Sequence, residues 1–319
     1  MDIQMARLII VPQYPTPLRY QEWWWEEFPA EFAGYFDEVK VLGERIPRCL
    51  DINRKDFAPT NPSVEYELHQ ISEYMLLTFR EDDVLLLCDL SFPGLFANVL
   101  FHKRPKKCFA ICHATSKNKY DYFSKDRTYK WPIEKATAGL FDKIFVATGY
   151  HKVKLGWKNS VVQPLPLPPF GRKVIFEGNR LNSIVSVSRP GIQKRNKSLE
   201  KKIESHFGPI KTPKVYEVYD WMGYQAFLQN SKVLLITSKE ETFGYQVADA
   251  IFNGCYPVAP NKYSYPELLP REFLYNDYME LVKILYDLLM HPGKKLPKLL
   301  TEEASDNFYK ITSDIMKNG

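Results

Sequence analysis

The chain has 319 residues, with 43 Lys and Arg against 38 Asp and Glu, a formal charge of +5 and 45% hydrophobic residues. That length is too great for one ordinary core and suits two α/β domains, and the hydrophobic fraction is normal for a soluble protein. No stretch reaches the length of a membrane span, and the start from Met1 to Arg7 leads through a short apolar run into a proline-rich loop, without a signal-peptide pattern. A cytoplasmic protein is expected, in the host cytoplasm if the source is viral.

Along the first half, short apolar strands are expected at Leu8–Val11, Val39–Leu42, Val84–Leu87, Cys108–Cys112 and Ile144–Ala147, separated by helical or loop stretches. This alternation predicts a parallel sheet covered by helices. The stretch from Gln163 to Pro169 is rich in proline and reads as a stiff, extended connector. Beyond it the same alternation recurs, with strands expected at Ile184–Val187, Val215–Val218, Val233–Thr237 and Tyr256–Ala259, and helices at Met279–Met290 and Glu302–Met316. The Trp23, Trp24 and Trp25 run is expected to pack beneath the first loop. Cys49, Cys88, Cys108, Cys112 and Cys255 are odd in number, scattered and mostly apolar in setting, which predicts reduced, buried thiols.

The most informative segment runs from Ser238 to Pro260. The apolar, β-branched run Val233–Thr237 has the length of a buried parallel strand, Phe243 and Gly244 form a turn, and Val247, Ala250 and Ile251 follow with helical spacing up to Gly254. A strand, a glycine turn and a helix N-terminus together form an anion site, because main-chain N–H groups and the positive end of the helix dipole face the ligand. Glu241 precedes the turn and Asp249 lies within the helix, so the two carboxylates address different parts of a ligand. Upstream, Arg189 and Lys194 follow the strand that begins near Ser183, where two cations could neutralise a leaving diphosphate. Taken alone, the acids also fit a solvated surface and the cations a basic loop.

Together these residues resemble the C-terminal half of retaining GT-B glycosyltransferases of the large family-four type. The family's acid, seven residues and second acid stand here as Glu241 through Thr242, Phe243, Gly244 and Tyr245 to Asp249, and the phosphate clamp matches Arg189 and Lys194. The likeness continues through Gly254–Pro257 and Ser264–Leu269. It implies two Rossmann-like parallel-sheet domains facing a central cleft: an acceptor-side domain over 1–165, a nucleotide-sugar domain over 166–300, and a helix in 301–319 crossing back to the first domain. It also implies that Glu241 faces the donor sugar, Asp249 the ribose, and Arg189 with Lys194 the diphosphate of a UDP- or GDP-sugar. Asp249 stands where the family usually has Glu. His113 matches a position facing the sugar, and its role would be to orient rather than to attack. The proline-rich loop from Pro12 to Arg19 departs from the family's glycine-rich loop, so no acceptor contact carries over there.

No Asp-x-Asp motif ends a strand, and Asp82 with Asp83 reads as a turn, so no obligatory metal is expected. The acceptor is addressed by charge: from Ala97 to Lys158 there are fourteen Lys and Arg against four Asp and Glu. Lys117, Lys119 and Tyr120 belong to a run that interleaves cations with aromatics, the mix that tracks a polyanion and stacks bases, although a solvated basic face fits too. The segments around Gly254–Pro257 and Ser264–Pro270 look closer to family members that glycosylate queuosine in transfer RNA, or that occur in phages modifying DNA. The favoured expectation is therefore transfer to a hydroxylated or hydroxymethylated nucleic-acid base. A lipid or saccharide acceptor at an anionic membrane surface is the first alternative, and a noncatalytic nucleic-acid or nucleotide-sugar binder the second.

Overall fold

The computed structural model describes residues 6–16, 19–43, 61–168, 181–187, 195–213, 221–291 and 294–318. Two compact units divide the chain: Met1–Ala147, Lys152–Pro166 and Asn307–Gly319 form the first, and Thr148–His151 with Leu167–Asp306 the second.

In the first unit the strands are β1 (Arg7–Val11), β2 (Glu38–Val41), β3 (Val84–Leu87), β4 (Lys107–Cys112), β5 (Lys143–Val146) and β6 (Ser160–Val162). They pair in parallel in the order β2-β1-β3-β4-β5-β6. Helices α1 (Tyr20–Phe32), α2 (Asn61–Met75), α3 (Phe96–Val99) and α4 (Arg127–Ala138) connect them, and α5 (Gly149–Leu155) leads toward β6. After a basic first residue in β1, β4 and β5, the central strands β1, β3, β4 and β5 are apolar to their ends because both sheet faces are covered. On one face Ile9, Val11, Leu85, Leu87, Ala110, Cys112, Ile144 and Val146 pack with Tyr74, Phe96, Leu100, Phe141 and Trp157.

The second unit holds β7 (Leu181–Val185), α6 (Lys197–Phe207), α7 (Trp221–Gln229), β8 (Ser231–Leu235), α8 (Tyr245–Phe252), β9 (Tyr256–Pro260), α9 (Tyr265–Leu268), β10 (Leu274–Tyr275), α10 (Tyr278–Met290) and α11 (Glu302–Asp306). Its strands are also parallel, in the order β10-β9-β8-β7. Helix starts follow capping chemistry: the Asn196 side chain accepts from Leu199 N at α6, and Asp277 from Glu280 N at α10. The last helix, α12 (Phe308–Asn318), belongs to the first unit, where Phe308 lies 5.9 Å from Phe28 and Tyr309 5.1 Å from Phe32, ring centre to ring centre.

Several expected elements shift. The β7 strand begins earlier, at Leu181, and the expected strand at Val215–Val218 lies outside the described residues. Both β6 and β10 are additional, and at three and two residues they are too short to leave an apolar run in the sequence. The helix expected from Glu302 to Met316 is two helices broken at Asn307, because the chain passes there from one core to the other. Trp23 and Trp24 are buried, and the Trp25 indole donates to the Tyr66 hydroxyl at 2.9 Å, so the tryptophan run is packing. Cys88, Cys108, Cys112 and Cys255 are buried free thiols, and Cys49 lies outside the described residues. Burial pushes the Cys108 thiol up to about 12. No helix among the described residues is long and apolar enough to cross a membrane.

Candidate donor site and acceptor-side residues

Beyond β8 the chain runs buried through Ile236, Thr237 and Ser238, and Ile236 N still donates to Val258 O at 2.9 Å. The loop that follows is fixed by its neighbours within the second unit. Thr148 Oγ1 donates to the Thr242 carbonyl at 2.8 Å, and Ser264 Oγ to the Phe243 carbonyl at 2.9 Å. Phe243 is buried against Tyr245, edge to face at 5.0 Å.

Gly244 has φ +97° and serves as the N-cap of α8, with no side-chain cap. The positive φ calls for glycine, and a Cβ there would also stand 3.2 Å from Tyr265 Cε1 and 3.3 Å from Glu241 Cγ, so those neighbours would have to give way. The turn therefore presents the amino end of an eight-residue helix without a side chain in front of it.

Glu241 is half-buried, and its Oε1 accepts the neighbouring Thr242 N–H at 3.1 Å. Asp249, in the second turn of α8, accepts from the Tyr224 hydroxyl of α7 at 2.9 Å. Burial pushes the Asp249 carboxyl up to about 7, while the Tyr224 hydrogen bond, which favours the charged form, pulls it back. Thr242, Phe243, Gly244, Tyr245 and Asp249 thus occupy one continuous loop and helix.

Arg189 and Lys194 lie outside the described residues. Just past them, Arg195 Nε and Nη2 grip the Glu200 carboxylate at 2.9 and 2.7 Å. Thr237 Oγ1 donates to the same carboxylate at 2.6 Å, and Asn196 N to Thr237 O at 3.1 Å. This network ties the start of α6 to the end of β8, and the sequence does not single it out because Arg195 is one of several cations in a basic run. Glu267 is likewise a structural acid without a sequence signal: its two oxygens accept Gly149 N and Tyr150 N at 2.7 and 2.8 Å, closing the amino end of α5.

In the first unit His113 follows β4 and lies against Tyr20 and Trp24, with ring centres 4.5 and 4.8 Å away. The Thr115 and Ser116 residues after it are held by Asn118 and Glu134: Thr115 N donates to Asn118 Oδ1 at 2.9 Å, and Ser116 Oγ to Glu134 Oε2 at 2.5 Å. Ser91 Oγ donates to the other Glu134 oxygen at 3.0 Å. Lys117 lies 5.0 Å over the Trp131 ring, which stacks on Trp157. Burial lowers the Lys117 pKa, and Arg127, Lys154 and Lys135 lower it further, so cations distant in sequence gather around it. Lys119 is exposed and lies 5.4 Å over Tyr120. Among the described residues no three His, Cys, Asp or Glu side chains gather to hold a metal ion.

No family model matches the chain. Over 91 residues, 28% of this chain and 23% of the relative, it is 42% identical to the tRNA-queuosine alpha-mannosyltransferase of Drosophila melanogaster, so the match spans less than a quarter of that protein. Among solved structures it is similar to a lipopolysaccharide outer core galactosyltransferase in its apo form, with 14% identity and TM-score 0.62 over 98% of each chain. The E. coli trehalose-6-phosphate structure bound with UDP-2-fluoro glucose gives 12% identity and TM-score 0.61 over 98% of this chain and 99% of that one. The sucrose-phosphate synthase of Thermosynechococcus elongatus gives 12% and 0.58 over 98% and 94%. These likenesses show the fold: an α/β protein of the GT-B class with two parallel-sheet units.

Proposed function

We propose that the protein is a glycosyltransferase that moves a sugar from a nucleotide diphosphate sugar to a hydroxyl on a nucleic-acid base. The observation that carries the reading is the Gly244 turn, which opens the amino end of α8 between the half-buried Glu241 and the Tyr224-held Asp249. It is supported by the fold and by the partial likeness to an enzyme of transfer RNA.

In this reading Glu241 accepts hydrogen bonds from the donor sugar and Asp249 from the ribose, while Arg189 and Lys194 take the diphosphate. Transfer proceeds with retention by front-face attack. The bond from the anomeric carbon to the phosphate oxygen breaks, the bond to the acceptor oxygen forms, and the acceptor proton passes to the departing phosphate. The protein's contribution is positioning and stabilisation of the leaving charge. His113 orients the reacting groups, and the cations around Lys117, with Lys119 and Tyr120, hold the nucleic-acid backbone.

The family-four assignment, the 1–165, 166–300 and 301–319 division of roles and the choice of UDP or GDP belong to this proposal. So does the nature of the nucleic acid: the partial relative supports transfer RNA, and phage-type hydroxymethylated DNA is the other substrate to test. Incubation of the purified protein with UDP- and GDP-sugars and each acceptor, followed by mass measurement, should show a hexose or pentose adduct on one nucleic acid. A lipid adduct alone would overturn the acceptor, and no release of nucleoside diphosphate from any donor would overturn the activity. Glu241→Ala should lower transfer by about 100-fold or more while the circular dichroism spectrum is retained; full activity in that variant would remove Glu241 from the site.

A further inference from the structure

Strands β1 and β3 are neighbours in the first unit, and Val11 pairs with Leu87 at their carboxyl ends. Two residues on from each lie Gln13 and Asp89, so the parallel register brings them side by side although they are 76 positions apart. Gln13 Nε2 donates to Asp89 Oδ2 at 2.7 Å, and Ser91 N donates to Oδ1 at 3.0 Å. Both side chains are buried, with Gln13 7% and Asp89 5% exposed. With Asp89 ionised, the amide is held with its oxygen turned away from the carboxylate, and Gln13 Oε1 is buried without a hydrogen-bond partner.

Such an orphaned acceptor keeps the full desolvation penalty of its burial unless a donor meets it. Its surroundings form a pocket whose lining includes Gln13, Asp89, Tyr14, Ser63, Tyr66 and Gln70. Tyr14 and Tyr66 meet edge to face at 5.7 Å and give it an aromatic wall. Acids outnumber cations nearby: Glu67 lines the pocket, and the Asp89 carboxyl, raised first of all by burial and drawn back by the Ser91 N–H, is raised further by Asp121 and Glu134 against Lys130. A domain with a strongly basic second half therefore holds, at the ends of β1 and β3, a small pocket that disfavours phosphate and is short of a hydrogen-bond donor.

We propose that this pocket receives the substituent of the acceptor base, selecting a hydroxyl that donates a hydrogen bond to Gln13 Oε1. Asp89 acts as a positioning residue that holds the amide. The inference rests on the glycosyltransferase reading for the identity of the ligand as acceptor.

The test uses the full chain and calorimetric binding of four nucleosides: 5-hydroxymethylcytidine, 5-hydroxymethyluridine and their 5-methyl counterparts. At least one of the first two should bind tenfold or more tightly than its methyl counterpart, because a methyl leaves the buried oxygen unpaired. Gln13→Leu should reduce that preference to within about twofold. Asp89→Asn is the second variant: its amide can donate to a flipped Gln13, satisfying Oε1 internally, and the preference should again collapse in a folded protein. Equal binding of donor-bearing and methyl nucleosides by the unaltered protein would mean that the pocket holds only water and would overturn the inference. Donor hydrolysis, followed in parallel, separates the two ideas. Hydrolysis without nucleoside preference sinks the pocket alone, and preference without hydrolysis sinks the enzyme.

Discussion

The strand ends of the two units solve different problems. After β8 the chain is shaped mainly by its main chain: a left-handed glycine, a helix end without a side-chain cap, and carbonyls pinned by Thr148 and Ser264. After β1, β3 and β4 it is shaped by side chains, with Gln13 on Asp89, Ser91 and Ser116 on Glu134, and His113 against Tyr20 and Trp24. Backbone groups suit a ligand part shared by many substrates, such as a diphosphate. Buried side-chain acceptors suit a part that must be told from others.

The sharpest way to break this contrast is to fill the glycine turn. Gly244→Val should cost roughly 1–3 kcal/mol through its positive φ, with contact against Tyr265 in addition, and should abolish donor turnover. Normal turnover in that variant would show that the turn does not shape the site. On the other side, Glu134→Gln puts an NH2 group against Ser116 N–H in a buried place, and about 1–3 kcal/mol of stability should be lost. Denaturant titration reads this directly, and an unchanged midpoint would mean that the network is slack.

A smaller effect separates the carboxylates by pH. The Asp249 carboxyl is raised from 3.8 to about 7 in the folded chain, so its contribution to stability is complete below its unfolded value and is lost as pH rises through about 7. Asp249→Asn should flatten the stability profile between about pH 4 and about pH 7. Donor affinity should run the opposite way in the unaltered protein, rising through about pH 7 as the carboxylate becomes a full acceptor for ribose hydroxyls. A pH-independent donor affinity would remove Asp249 from the ribose. Smallest of all, Lys119→Ala should lower the salt slope of nucleic-acid binding by about one and leave base preference alone. A changed base preference would place Lys119 at the base instead of the backbone.

Much of the candidate donor site is legible in the amino-acid sequence. The run into β8, Gly244 and the spacing of Glu241 and Asp249 are close along the chain, and an αL turn or a helix start selects residue types that can be read directly. Strand cores are legible for a similar reason, since burial on both faces leaves unbroken apolar runs such as Val84–Leu87. The short strands β6 and β10 and the break at Asn307 are not, because two or three residues carry no period and the change of core at Asn307 has no local signature.

The sequence by itself thus determined the two-sheet α/β class, the glycine turn and the acids that flank it, all consequences of local backbone demands and hydrophobic patterning. Tertiary structure alone decided that Gln13 meets Asp89, that Arg195 and Thr237 share Glu200, that Glu267 closes α5 and that Tyr224 holds Asp249. Those partners are set by strand register and helix packing. A carboxylate in the sequence does not reveal which donor it will meet until the sheet has brought the strand ends together.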